Sequence, residues 1–140
     1  MRYYLSLGSN LGQREQTLRE AMRQIEQQIG TILRCSSFFY SAPWGFDSQN
    51  EFCNCCCSVE THMEPLEVLT CTQSIERALG RTHKSVNGHY SDRIIDIDII
   101  RAWDNEGKEI VSNDPLLTIP HPLWEQRDFV TVPLREICGE

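Results

Sequence analysis

Arg93-Ile94-Ile95-Asp96-Ile97-Asp98-Ile99-Ile100-Arg101-Ala102-Trp103 reads as a β-strand with two unlike faces. Side chains alternate across a strand, so Ile95, Ile97 and Ile99 point one way and Asp96 and Asp98 the other. An apolar face demands a covering layer, and a polar face is left open. Working outward, residues 2–7 alternate with Tyr3, Leu5 and Leu7 on one side and read as a first strand, ended by Gly8-Ser9-Asn10. Across residues 13–29, Leu18, Met22, Ile25 and Ile29 form a helical stripe that Gly30 stops. Residues 31–40 are β-branched and aromatic and read as a second strand. Ser41 to Glu51 is a loop with Pro43 and Gly45, and Phe52 to Thr61 is a third strand. Pro65 suits the first turn of a second helix, continued by Val68, Cys71, Thr72, Ile75 and Leu79 and ended by Gly80. Residues 81–92 form a second long loop. After the fourth strand, Asp104–Gly107 is a hairpin turn and Lys108 to Val111 returns from it. The rest is Pro-rich loop, with short helical turns near Leu123–Gln126 and Pro133–Ile137.

This order, βαββαβ plus a hairpin, predicts a ferredoxin-like α+β sandwich with long active-site loops. Two helices would cover one face of an antiparallel sheet. The other face would be open for a site. The chain has 140 residues, 40% hydrophobic and 24% charged, which suits a single globular domain over residues 1–140. No apolar run approaches the ~20 residues of a membrane span. Met1 to Leu7 reads as a buried strand rather than a signal peptide.

A net charge of −7 argues against a general nucleic-acid binder. The basic residues Arg81, His83, Lys84, Arg93, His121 and Arg127 nevertheless fall in the second half, where they form a local positive funnel. Seven cysteines, an odd number, point to reduced thiols and a cytoplasmic location. The run Cys53-Asn54-Cys55-Cys56-Cys57 has no second Cys/His pair at zinc-finger spacing. In an extended strand, Cys53, Cys55 and Cys57 face one side and behave as small hydrophobes.

Asp96 and Asp98 carry the chemistry. On one strand face they stand about 6.6–6.8 Å apart, and two carboxylates that close in an apolar strand require a positive group between them. Mg²⁺ suits this, since it takes oxygen ligands and keeps positions open for substrate phosphates. A bare Asp-x-Asp reads equally as a solvated outer face, and the isoleucine-rich setting shifts the balance. Arg93 falls on the opposite nominal side and must reach around the strand end. His121 lies on a stiff Pro120-His121-Pro122 backbone. Arg127 and Phe129, two residues apart, suit phosphate pairing and ring stacking or an ordinary surface pair.

The stretch Asp92–Ile100 resembles the signature of 6-hydroxymethyl-7,8-dihydropterin pyrophosphokinases. So do Leu7-Gly8-Ser9-Asn10-Leu11 and Ser36-Ser37-Phe38-Phe39-Tyr40 with Pro43, Gly45, Phe52 and Asn54. Gln73-Ile75-Glu76 with Gly80-Arg81, and Pro120-His121-Pro122 through Arg127 and Phe129, complete the family's order over nearly the whole chain. The resemblance implies pyrophosphate transfer from MgATP to the hydroxymethyl group of the dihydropterin in folate biosynthesis, by a monomer with small-molecule partners. It implies that Asp96 and Asp98 hold two Mg²⁺ ions and that Arg81 and Arg93 neutralise charge in the reaction. Phe52 and Phe129 would sandwich the pterin, and Asn54 would read its edge. Backbone near Ala42, Pro43 and Trp44 would add hydrogen bonds, Gly8 would allow close approach, and Asp96 would also face the pterin. Gln73, Glu76, His83, Lys84, Arg93, Ile99, Thr118, His121 and Arg127 would line the ATP side. The family often has Tyr where Phe52 stands, and the position near Leu116 where it has an ATP-binding Arg is not basic here. Two other readings remain: a metal-dependent nucleotidyltransferase using the same acids, and a non-catalytic ferredoxin-like ligand-binding module.

Overall fold

A computed structural model describes residues 1–42, 50–80 and 94–138. The strands are β1 (Arg2–Ser9), β2 (Thr31–Cys35), β3 (Phe39–Ser41), β4 (Phe52–Glu60), β5 (Asp96–Trp103), β6 (Ser112–Asp114) and β7 (Leu117–Ile119). The helices are α1 (Arg14–Gln28), α2 (Pro65–Ala78) and α3 (Asp128–Ile137), with a short 3-10 turn at Trp124–Gln126. The main sheet runs β2-β4-β1-β5, all antiparallel, with β3 also paired to β4. This is the ferredoxin-like α+β order expected from the strand and helix pattern.

Alternation builds the core. Tyr3, Leu5 and Leu7 of β1, Cys53, Cys55, Cys57 and Val59 of β4, and Ile97 and Ile99 of β5 pack with Leu18, Ala21 and Ile25 of α1 and Val68 and Ile75 of α2. Pro65 opens α2, and the Glu67 carboxylate accepts the Glu64 N–H at 3.1 Å as a capping box. Gly30 ends α1 where no side chain fits, since an added Cβ would lie 2.1 Å from the Glu60 carbonyl oxygen.

Several expectations need correction. The second strand is two, β2 and β3. At Ser36 the hydroxyl, not the carbonyl, accepts the Cys56 N–H at 2.9 Å, and the ladder breaks there. The segment after the Asp104–Gly107 turn makes one bridge, Trp103 to Glu109, rather than a strand. The second hairpin is instead β6–β7, inside what reads as Pro-rich loop. The helical turn at Pro133 is part of α3, which begins at Asp128. Pro133 removes one helical hydrogen bond, but Val130, Pro133, Leu134 and Ile137 are buried and hold the helix together around it. The fourth strand is regular only from Asp96. The loop readings at 43–49 and 81–93 lie outside the described residues.

α3 lies on the sheet face opposite α1 and α2, where Val130, Leu134 and Ile137 form a second core with Cys56 and Ile100. The face expected to be open is therefore partly roofed. What α3 leaves uncovered defines the site.

Candidate active site

The central strands bring the pieces together by register. Gly8 of β1 stands opposite Asn54 of β4 on one side and opposite Asp96 of β5 on the other. The next row on the same face holds Cys56, Ser6 and Asp98. Asp96 and Asp98 are half-buried, while Ile95, Ile97 and Ile99 behind them are buried. The pleat alone separates the carboxylates from the dry core by one residue.

Gly8 forms the floor between Asn54 and Asp96. A Cβ there would lie 2.9 Å from Asn54 Oδ1 and 3.6 Å from the Phe52 ring. Asn54 is 2% exposed, and its side-chain amide donates to the Phe39 carbonyl at 3.1 Å and the Ser41 hydroxyl at 2.9 Å. Both N–H groups thus hold β3 in place, and the carbonyl Oδ1 is the atom turned over Gly8. Phe52 begins β4 opposite Ser41, beside exposed Ala42.

Glu76, near the end of α2, is 3% exposed. Its Oε2 accepts the Ile97 N–H at 2.8 Å. That N–H lies between the two aspartates on the outer edge of β5, so a carboxylate occupies the place of a neighbouring strand and fixes the backbone that carries them. This contact joins a helix to a strand 21 residues away, and local pattern gives no sign of it.

β5 contains a bulge. Leu5 pairs with Ile99 and Tyr4 with Arg101, so Ile100 is extra. The bulge resets the alternation and puts Arg101 and Trp103 on the same face as Asp96 and Asp98. The Arg101 guanidinium forks onto Glu109 at 2.9 and 3.0 Å and stacks over Trp103 at 4.8 Å and Trp124 at 5.3 Å. Sequence pattern missed this clamp, because straight alternation sends Arg101 to the core side.

His121 is tied to β5 as well. Its N–H donates to the Ile100 carbonyl at 2.8 Å, and its Nδ1 accepts the Leu123 N–H at 3.2 Å. With Nδ1 an acceptor, the neutral ring carries its proton on Nε2. Arg127, 7% exposed, ends the 3-10 turn, with its guanidinium 5.7 Å from the Phe129 ring centre. Phe129 packs on the core under α3.

Gly8, Phe52, Asn54, Asp96 and Asp98 therefore share one face, and Glu76, Ile99, His121, Arg127 and Phe129 lie on or around β5 and α3. Gln73 is half-buried on α2, and Thr118 is exposed on β7, which touches α2. Pro43, Trp44, Arg81, His83, Lys84 and Arg93 lie outside the described residues. Among the described residues, no group of three or more His, Cys, Asp or Glu is arranged to hold a metal without help. Two half-exposed carboxylates that rely on other oxygens to complete a shell suit Mg²⁺ with a phosphate-bearing ligand.

A family model described as 7,8-dihydro-6-hydroxymethylpterin-pyrophosphokinase (HPPK) matches residues 4–139. The chain is 43% identical over 135 residues to the 2-amino-4-hydroxy-6-hydroxymethyldihydropteridine pyrophosphokinase of Porphyromonas gingivalis, covering 96% of this chain and 89% of that one. It is 36% identical over 138 residues to the Bacillus subtilis protein of the same name, covering 98% of this chain and 78% of the relative. A solved HPPK-DHPS in complex with substrates superimposes with a TM-score of 0.70 at 15% identity, over 97% of this chain and 40% of that one. At that identity the likeness concerns the fold, and the chain spans about two-fifths of the solved structure's length.

Proposed function

Since the chain belongs to the 7,8-dihydro-6-hydroxymethylpterin-pyrophosphokinase family, we propose how its own residues carry out that activity. It is a transferase of folate biosynthesis that moves pyrophosphate from ATP to the hydroxymethyl group of the dihydropterin. In our reading the pterin lies on the Gly8 floor with Phe52 and Phe129 on its two faces, where ring stacking favours a flat substrate. Asn54 Oδ1 accepts from the pterin's donor edge, because the Asn54 amide hydrogens are committed to Phe39 and Ser41. Backbone at Ala42, Pro43 and Trp44 completes that edge.

The row Asn54–Gly8–Asp96 carries the assignment. It joins a hydrogen-bonding amide, a flat floor and a carboxylate, with Asp98 one row further along. Asp96 and Asp98 would hold two Mg²⁺ ions, which when bound would offset the negative charge of the phosphates. The hydroxymethyl oxygen attacks the β-phosphorus of ATP in line, the bond to the α-phosphate oxygen breaks, and AMP leaves. Positioning and charge compensation supply most of the acceleration. Arg81 and Arg93 neutralise the transferred group and the leaving phosphate. His121 presents an Nε2 proton to a phosphate oxygen, and Gln73, Glu76, His83, Lys84, Ile99, Thr118 and Arg127 form the rest of the ATP side. Glu76 contributes by fixing the Ile97 backbone between the two acids. We read the single domain over residues 1–140 as a cytoplasmic monomer; its cysteines are free thiols, with Cys53, Cys55, Cys56 and Cys57 buried.

Product analysis tests this reading. With MgATP and the hydroxymethyl-dihydropterin, one AMP should form per pyrophosphorylated pterin, and chelation should stop the reaction until Mg²⁺ is restored. Release of ADP, or of pyrophosphate without pterin product, would overturn it.

A further inference from the structure

The cysteine run on β4 has a second feature that the proposed reaction does not use. Cys35 is the last residue of β2, an edge strand, and it is exposed. Directly across from it in register is Cys57, which is fully buried. The Ser36 N–H donates to the Cys56 carbonyl at 2.9 Å, which makes the next pair along the hydrogen-bonded one. Cys35 and Cys57 therefore occupy the alternate type of site, where facing Cα atoms approach to about 4.5 Å. A disulfide spans Cα separations of about 4.4–6.8 Å.

Cys55 has a different relation to Cys35. It sits on the diagonal, where Cα atoms are roughly 7–8 Å apart, beyond a disulfide's reach without backbone movement. Met22 of α1 places its sulfur 3.1 Å from Cys35 Sγ. The neighbouring Cys55 thiol draws the Cys35 thiol below its ordinary range, against partial burial and the Glu136 carboxylate, whereas burial pushes Cys57 well up. Among these three thiols, the one that ionises most readily is also the one solvent reaches.

We propose that Cys35 is a peroxide-reactive thiol that closes a cross-strand disulfide to Cys57, the residue facing it across the ladder. The Cys35 thiolate attacks one oxygen of hydrogen peroxide and breaks the O–O bond. This leaves a sulfenic acid on Cys35 and a hydroxide that takes up a proton. The Cys57 sulfur then attacks the Cys35 sulfur and expels a second hydroxide, which leaves as water with the Cys57 proton. In total two thiols are oxidised and one peroxide is reduced to two waters. The bond would tie the edge strand to β4, on the face opposite Asn54.

The test treats the whole chain with a small excess of hydrogen peroxide at neutral pH, then alkylates, digests and identifies peptides by mass spectrometry. A Cys35–Cys57 linked peptide should dominate and be absent from Cys35→Ser. In Cys57→Ala, which keeps a small apolar side chain, a dimedone-trapped sulfenic acid should accumulate on Cys35. Cys55→Ala, which removes the thiol on the diagonal, should leave the Cys35–Cys57 link in place. Oxidation of Cys138 or Cys71 ahead of Cys35, a Cys35–Cys55 link, or Cys35 oxidation with no link would each overturn the proposal.

Discussion

The two faces of the main sheet are made by the same strands, yet they obey different rules. Toward α1 and α2, Leu5, Leu7, Cys55, Cys57 and Ile97 are shut off from solvent and offer almost no polar atom. Toward α3, the alternate positions Ser6, Gly8, Asn54, Asp96 and Asp98 are small, polar or charged. The first face is held by burial, which no single residue decides. The second adds specific hydrogen bonds, from Asn54 to β3 and from Ile97 to Glu76, to a smaller apolar cluster under α3. The lesson is that the described centre of the site, Gly8, Asn54, Asp96 and Asp98, stands on central strands, so its geometry is inherited from core packing.

The strongest way to break this comparison is to alter one residue on each face of β5. Asp96→Ala or Asp98→Ala should cut kcat/KM by about 10³-fold or more, about 4 kcal/mol of transition-state stabilisation, while the melting temperature barely moves. Ile97→Ala, between them, should cost about 2–5 kcal/mol of stability and leave turnover of the folded fraction nearly intact. AMP-release kinetics beside chemical denaturation read both effects. If Asp98→Ala proved as destabilising as Ile97→Ala, the division of labour between the faces would collapse.

Sequence made the first face readable and the second only in part. Period-two alternation in 2–7 and 95–99, the helical stripe through Leu18 and Ile25, and the stops at Gly30 and Gly80 all report burial, and burial is what periodicity encodes. The shared outward face of Asp96 and Asp98 was legible because a pair of charges interrupts an isoleucine run. The break at Ser36 was not, because a hydroxyl replacing a carbonyl in the ladder leaves the composition β-like. The bulge at Ile100 was hidden within Ile99-Ile100, where either residue fits either face. That slip also hid the side on which Arg101 emerges. α3 was cut short at Pro133 because local propensity outweighed the buried stripe of Val130, Leu134 and Ile137. The Glu76 contact to Ile97 is purely tertiary.

A milder change sharpens the comparison within the site face. Gly8→Ala adds one methyl that meets Asn54 Oδ1 at 2.9 Å and the Phe52 ring at 3.6 Å. Pterin affinity should fall roughly tenfold, about 1.4 kcal/mol, with ATP affinity little changed. Calorimetry with each ligand separates the two. Equal losses for both would mean that Gly8 serves the backbone rather than the pterin floor.

The smallest effect concerns Arg101, which the bulge turns onto the site face. Its fork to Glu109 and its stacking between Trp103 and Trp124 hold the 108–127 segment against β5, and that segment carries Thr118, His121 and Arg127. Arg101→Lys keeps the charge but loses the flat, two-pronged geometry. A partly exposed ion pair and two stacked rings contribute about 1 kcal/mol together, so stability should fall only slightly. If the clamp positions His121, the KM for ATP should rise a few-fold at temperatures where the variant is fully folded, and tryptophan emission should shift with it. A lower melting temperature with unchanged KM and emission would reduce Arg101 to an ordinary surface pair, and the bulge would then matter only for packing Ile100 under α3.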